Sequence, residues 1–334
     1  MTQMLTLTDD ELALLRFTGD LFFVDESPLI HVERAAREPA DCAGSYQALV
    51  DRGIVDPTGF RITDDALNQL APVTECDARI VHLTVDEQGA VTQEDHWLLD
   101  EIAVVYERHG TDTDAKHVFG PDLDPHQLVQ RLGRRLVPRR AGGDRFDVVL
   151  SASDVVATML LLECANALDR RLLTLNEARG ALNRLPADDS IVSALPGLQV
   201  GRFGVGKKPV KETRSGEVVI KQLLERGVLL ADNDGVRLHA GLFALRNQGR
   251  CRHTLVRTDF REDDWLVREL TLLPVDGSLF VIAPMRGGFR IAELDGDALY
   301  SVLKDATGPQ QPGGDKAPAA PQRLAALLAG QARR

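Results

Sequence analysis

Aromatic side chains make up only 5% of the 334 residues, so a core must be built mainly from Leu, Val, Ile and Ala. Cysteine is sparser still. Cys42, Cys76, Cys164 and Cys251 are scattered with no Cys-x-x-Cys pair, which gives neither a zinc ribbon nor a redox couple. They read as reduced thiols of a cytosolic protein. Long apolar runs are missing too. The longest, Val155 to Leu162, contains Thr158 and is far too short to span a bilayer. The start, Met1 to Thr6, lacks the basic residues and apolar stretch of a signal peptide, so a cytoplasmic location is expected. No Gly-x-Ser-x-Gly, His-Glu-x-x-His or Cys–His arrangement is found. The expectation is therefore a protein that is not an enzyme, with no catalytic residue, cofactor or metal.

What is present is a folded, charged composition: 44% hydrophobic and 27% charged, in a chain long enough for two domains or one duplicated domain. The net charge of −11 opposes non-specific binding to nucleic acid or to an anionic membrane, so neither is an expected partner. The charge is uneven. Residues 1–143 hold 26 acidic and 13 basic side chains (net −13), and residues 144–334 hold 24 and 26 (net +2).

One short pattern occurs twice. Leu49-Val50-Asp51-Arg52-Gly53-Ile54 reads as a helix end, a left-handed glycine stop and a turn toward a strand; Leu223-Leu224-Glu225-Arg226-Gly227-Val228 repeats it. Around each copy the elements follow one order. Thr8 and Glu11 form a capping box before the first helix. A second helix covers about Cys42 to Arg52, and Asp64 to Leu70 makes a short helix closed by Pro72. Leu21 to Val32 reads as extended or irregular. Strands follow at Arg79–Val85, His96–Leu99, Glu101–Tyr106 and Lys116–Phe119. Asp124-Pro125 then opens a helix. The second half begins at Val148, with Ser151 or Ser153 capping a helix to Leu168. It adds helices near Leu175–Leu185 and Asp189–Leu195. Strands follow at His253–Phe260, Trp265–Leu273, Ser278–Ala283 and Phe289–Ala292, and Asp297–Asp305 closes it. Gly53/Gly227, Cys76/Cys251 and Leu128/Leu299 fall 171 to 175 residues apart. The reading is α+β: an internally duplicated, pseudo-two-fold architecture, each half carrying helices, a winged-helix-like turn and an antiparallel meander. The domains are 1–140 and 144–306, then a Gly/Pro linker at 307–322, disordered by composition, and a docking helix or frayed tail at 323–334.

Three patterns invite a chemical reading. Gly201-x-x-Gly204-x-Gly206-Lys207-Lys208 matches a phosphate loop in its Gly and Lys spacing, but position 208 is Lys where Ser or Thr would hold magnesium, so a flexible basic loop is expected. Six of eight histidines lie in the first half, and Asp112 and Asp114 neighbour His109 and His117, yet the spacing fits no ligand signature. The helix–glycine–strand units resemble winged helices, which makes a tandem DNA-binding regulator the alternative function and a nucleotide-binding enzyme a more distant one. Their helices carry Gln47, Asp51 and Arg52, and Lys221, Gln222, Glu225 and Arg226, a balance poor in base.

With Thr8–Leu15, Leu49-x-x-x-Gly53-Ile54, Arg79–Val85 and Leu136-Val137-Pro138 in this order, the chain resembles the EspG family of cytosolic chaperones for ESX (type VII) secretion over most of residues 5–305. That resemblance implies a pseudo-two-fold α/β molecule that binds a folded or helical secretion substrate and supplies no catalytic residues. The function expected is thus a chaperone or adaptor that contacts a protein partner mainly through the second half. Interface anchors are most often aromatic or Arg, which singles out Phe203, Arg250, Arg252, Trp265 and Phe280.

Overall fold

One ten-stranded antiparallel sheet runs through both halves of the chain. The computed structural model describes residues 4–17, 21–34, 43–58, 61–110, 115–134, 136, 138, 146–183, 215–244, 251–260, 265–275, 277–285 and 288–309. The first half supplies β1 (Leu5–Thr8), α1 (Asp9–Phe17), α2 (Ile30–Arg34), α3 (Ala43–Asp51), the hairpin β2 (Val55–Asp56) and β3 (Arg61–Ile62), and α4 (Asp64–Thr74). The meander β4 (Ala78–Val85), β5 (Val91–Leu99), β6 (Ile102–His109) and β7 (Lys116–Phe119) leads to α5 (Pro125–Gly133). The second half supplies β8 (Asp147–Leu150), α6 (Ala152–Ala167), β9 (Leu172–Leu173), α7 (Leu175–Leu182), α8 (Gly216–Glu225), the hairpin β10 (Leu229–Asp232) and β11 (Gly235–Leu238), and α9 (Ala240–Ala244). Its meander is β12 (Arg252–Phe260), β13 (Trp265–Val275), β14 (Ser278–Met285) and β15 (Gly288–Leu294), closed by α10 (Gly296–Thr307). The α+β class expected from the sequence is the one observed.

The strand order is β1-β7-β6-β5-β4-β12-β13-β14-β15-β8. It reads alike from both edges: β1 and β8 lie outermost, each just before the first long helix of its half, and β4 and β12 pair at the centre. Their antiparallel register sets Val81 against Val256. Joining the halves there leaves no meander edge open to another chain at the middle of the sheet.

Alternation along the strands sends side chains to two faces. On one, α5 and α10 meet over the centre, with Leu128, Leu132, Leu299 and Leu303 buried on Ile80, Leu98, Leu255 and Leu272. On the other, two helix groups cover the ends. Leu12, Leu15, Leu49 and Leu70 bury Trp97, Tyr106 and Phe119 of the first half. Leu161, Leu182 and Leu223 bury Leu273, Phe280 and Ile291 of the second.

The same local device starts each half. Thr8 and Glu11 complete their capping box, the Thr8 N–H donating to Glu11 Oε2 (2.9 Å) and the Glu11 N–H to Thr8 Oγ1 (3.2 Å). Arg52 then bridges back, donating to Glu11 Oε1 and to the Thr6 carbonyl, both at 2.8 Å. In the second half Ser151 and Asp154 form the box, and Arg226 donates to Asp154 Oδ2 (2.5 Å) and to the Val149 carbonyl (3.4 Å). Each arginine directly precedes its glycine stop, at φ +69° for Gly53 and +72° for Gly227. A Cβ at either glycine meets nothing within 4 Å, so only backbone strain opposes a side chain. Gly53→Ala and Gly227→Ala are each expected to cost about 1 kcal/mol, measured as a lowered urea midpoint with unchanged slope.

Several boundaries differ from those expected. Helix α4 continues through Pro72 to Thr74, because Leu70, Pro72 and Val73 are buried and that burial carries the helix past a missing N–H. Within Leu21–Val32, expected to be irregular, α2 begins at Ile30; before it Ser27 bonds the Val73 carbonyl (2.8 Å) and receives the Leu29 N–H. Strands β1 and β9 are short and were masked by the capping signals that follow them. The helix expected at Asp189–Leu195, the linker from residue 310 and the tail lie outside the described residues.

Candidate protein-binding face

The strip at the sheet's centre belongs to the core of neither helix group, although Val81 and Val256 there are themselves buried. Neither buried cluster contains a residue of β4 or β12, and Phe260 alone among them packs against one. The strip between is set by register: Val81 and Val256 at its middle, with Asp95 opposite Val81 on β5 and Glu269 opposite Val256 on β13.

Asp95 and Glu269 occupy matching places but different environments. Asp95 receives Arg79 Nη2 at 2.6 Å and Gln93 Nε2 at 2.9 Å. The place that matches Arg79 in the second half is held by Thr254, which has no charge to offer. Glu269 Oε2 is consequently buried with no hydrogen-bond partner among the described residues. Burial pushes its carboxyl up to about 7, with the Arg252 guanidinium acting weakly in the opposite sense. A carboxylate left without a cation in a sheet centre is costly unless something else supplies one.

An aromatic row crosses one end of the strip. The Arg79 guanidinium lies 5.0 Å from the Trp97 ring centre, Trp97 stacks on Phe260 at 6.4 Å, and Phe260 meets Trp265 edge-on at 5.6 Å. Trp265 ends the row 40% exposed. At the matching place in the first half stands Val91, also exposed but without an aromatic surface.

Of the residues singled out in the sequence, Arg252 and Trp265 project to this face, near opposite ends of β12 and β13. Phe280 does not. It is fully buried among the helices of the second half, so its expected role as a contact residue is corrected to core. Phe203, Arg250 and the Gly201–Lys208 loop lie outside the described residues. Asp95 and Glu269 went unrecognised in the sequence. The signal was a carboxylate in the mostly apolar strand β13, matched 174 residues earlier by another.

Of the basic side chains that a DNA-reading helix would need, the two arginines are engaged internally and Lys221 is exposed. Arg52 and Arg226 hold the capping boxes, Gln47 donates to Asp51 (2.8 Å), and Lys221 lies 4.0 Å from Glu225. His109 pairs with Glu107 (3.0 Å) on the sheet face opposite His117, while Asp112 and Asp114 lie outside the described residues. No described helix is long and apolar enough to cross a membrane.

No protein-family model and no curated protein matches the sequence. Solved structures do. The chain resembles the Mycobacterium tuberculosis type VII secretion chaperone EspG5. That structure holds EspG5 in complex with a PE25–PPE41 dimer; the alignment covers 94% of this chain and all of the other, at 13% identity and a TM-score of 0.45. The resemblance is one of architecture.

Proposed function

We propose that the protein is a non-enzymatic cytoplasmic chaperone or adaptor whose partner is another protein, a helical secretion substrate being the class that fits best, and whose contact surface is the second-half side of the central sheet face. The observation that carries this reading is the unequal pair of Asp95 and Glu269. One half of a matched strip is neutralised by its own arginine, and the other keeps a carboxylate in need of a donor, four residues along β13 from an exposed tryptophan. A partner that places a cation or N–H over Glu269 and apolar surface on Trp265 satisfies both. Tryptophan is among the residues that most often anchor a binding hot spot. In this reading the two halves also descend from one unit, the first kept as scaffold and the second turned to binding; the repeated capping box, arginine bridge and glycine stop support that descent.

Full-length protein purified from its native host is expected to bring down one protein partner in stoichiometric amount. Its melting temperature is expected to rise in that complex. Failure to recover a stoichiometric partner, combined with salt-sensitive binding to duplex DNA, would replace the proposal with the regulator reading.

A further inference from the structure

We infer that Asp9, His31 and His117 form a site for one divalent transition-metal ion of the zinc class, at the outer end of the first half and away from the central face. The three come from separate segments: Asp9 from the first residue of α1, His31 from α2 and His117 from β7. Their ligating atoms all lie within 4.8 Å of one another. Tetrahedral zinc, with bonds of about 2.0–2.1 Å, needs such atoms roughly 3.3 Å apart. Most of that closure falls to His31, whose side chain is 45% exposed.

The hydrogen bonds behind the histidines set both rings for ligation. His31 Nδ1 lies 2.9 Å from the Pro28 carbonyl, which only an Nδ1–H can satisfy. In the neutral ring Nε2 is therefore a bare lone pair, and it faces Asp9 Oδ1 at 4.0 Å. Two acceptors turned toward each other are an arrangement that a cation resolves. His117 Nε2 meets the same Asp9 oxygen at 2.7 Å, and its Nδ1 meets the Tyr106 hydroxyl at 2.8 Å. A hydroxyl both donates and accepts. Without metal, Tyr106 donates to Nδ1 while Nε2–H donates to Asp9. With metal, Nδ1 carries the proton and donates to Tyr106, and Nε2 turns its lone pair to the ion. A ligating histidine braced through its other nitrogen by a carbonyl or hydroxyl is the usual outer shell of a zinc site.

Two imidazoles and one carboxylate select zinc, cobalt or nickel over calcium or magnesium, which prefer oxygen alone. Three protein ligands leave a fourth position on the side of exposed His31, which water can fill. Bound there, the ion would fasten the start of α1 and the α2 turn to β7. Tyr106, Phe119 and His117 on that part of the sheet are all buried under those helices.

The test uses the full chain with any affinity tag removed. Dialysis against micromolar zinc, followed by metal analysis, is expected to give one ion per chain. Cobalt is expected to produce the visible absorption of a four-coordinate site. His31→Ala, at an exposed position, should keep the far-ultraviolet circular dichroism and weaken zinc binding by roughly tenfold or more. His109→Ala, on the opposite face of the sheet, should bind as the wild type does. Absence of uptake by the wild type, or equal uptake by His31→Ala, overturns the assignment. Neither result bears on the protein-binding face.

Discussion

Arg226→Met is expected to destabilise the protein by about 3 kcal/mol, and Arg52→Met by about 1 kcal/mol, although the two arginines play the same part. The difference lies in the acids they serve. The Asp154 side chain is only 2% exposed, while that of Glu11 is 11% exposed. Removing Arg226 strands an almost fully buried carboxylate, which then relies, among the described residues, on the Ser151 N–H and hydroxyl. Breaking one side of a buried pair costs more than the pair contributed, because the orphaned charge stays desolvated. Glu11 can turn partly to water. Adding Asp154→Asn to Arg226→Met should therefore recover part of the loss, whereas Glu11→Gln with Arg52→Met should recover little. Guanidinium unfolding of the four variants measures this directly, and equal costs for the two arginines would contradict the burial argument.

Glu269→Gln is expected to stabilise the protein at pH 8 by about 2 kcal/mol and to leave it unchanged near pH 4. The sign follows from linkage. The folded-state carboxyl titrates at about 7, above its ordinary value of 4.5, because burial penalises the charged form. The folded protein thus binds the proton more tightly than the unfolded chain. A destabilising cost appears as pH rises through the unfolded value, grows until the folded value, and stays level above it. A shift of that size corresponds to about 3 kcal/mol at most, and partial exposure lowers the expected effect. Unfolding curves of wild type and variant between pH 4 and pH 8 should converge at the acid end and separate above neutrality. A constant separation across that range would rule out Glu269 as the cause. Gaining stability by removing a group on a binding face is the familiar exchange between stability and function.

The fold was legible where local chemistry and tertiary demand coincide. Thr8–Glu11 is a capping box in the sequence and in the structure, the helix starts read at Ser151 and Asp124 are boxes in the structure, and Gly53 and Gly227 stop helices at positive φ. The β-branched runs at Arg79–Val85 and His253–Phe260 are strands, as their alternation requires. Long-range demand was harder to read. Pro72 signals a helix end, but buried neighbours carry α4 to Thr74. Strand β1 is four residues whose strand partner is β7, more than a hundred residues away. Phe280 is aromatic in a sheet, and only packing distinguishes an anchor from a core residue.

The candidate face was less legible still. Trp265 and Arg252 stood out by residue type. Asp95 and Glu269 became visible only when register placed them on either side of Val81 and Val256, and Arg79 with Thr254 accounted for their different states. The Asp9, His31 and His117 cluster draws on residues spread over more than a hundred positions, so no spacing rule could assemble it. In both places the sequence contains the chemistry, and the sheet topology supplies the neighbours.

The central claim is that the second-half side of the sheet centre engages a protein partner. Its most direct test is partner recovery by three versions of the full chain expressed in the native host: wild type, Trp265→Ala and Val91→Ala. Trp265 and Val91 hold matching, exposed places in the two halves. The account predicts a stoichiometric partner with wild type and Val91→Ala, and at least roughly tenfold less with Trp265→Ala, the loss expected for a hot-spot aromatic. Equal recovery by all three would place the contact elsewhere and contradict the account.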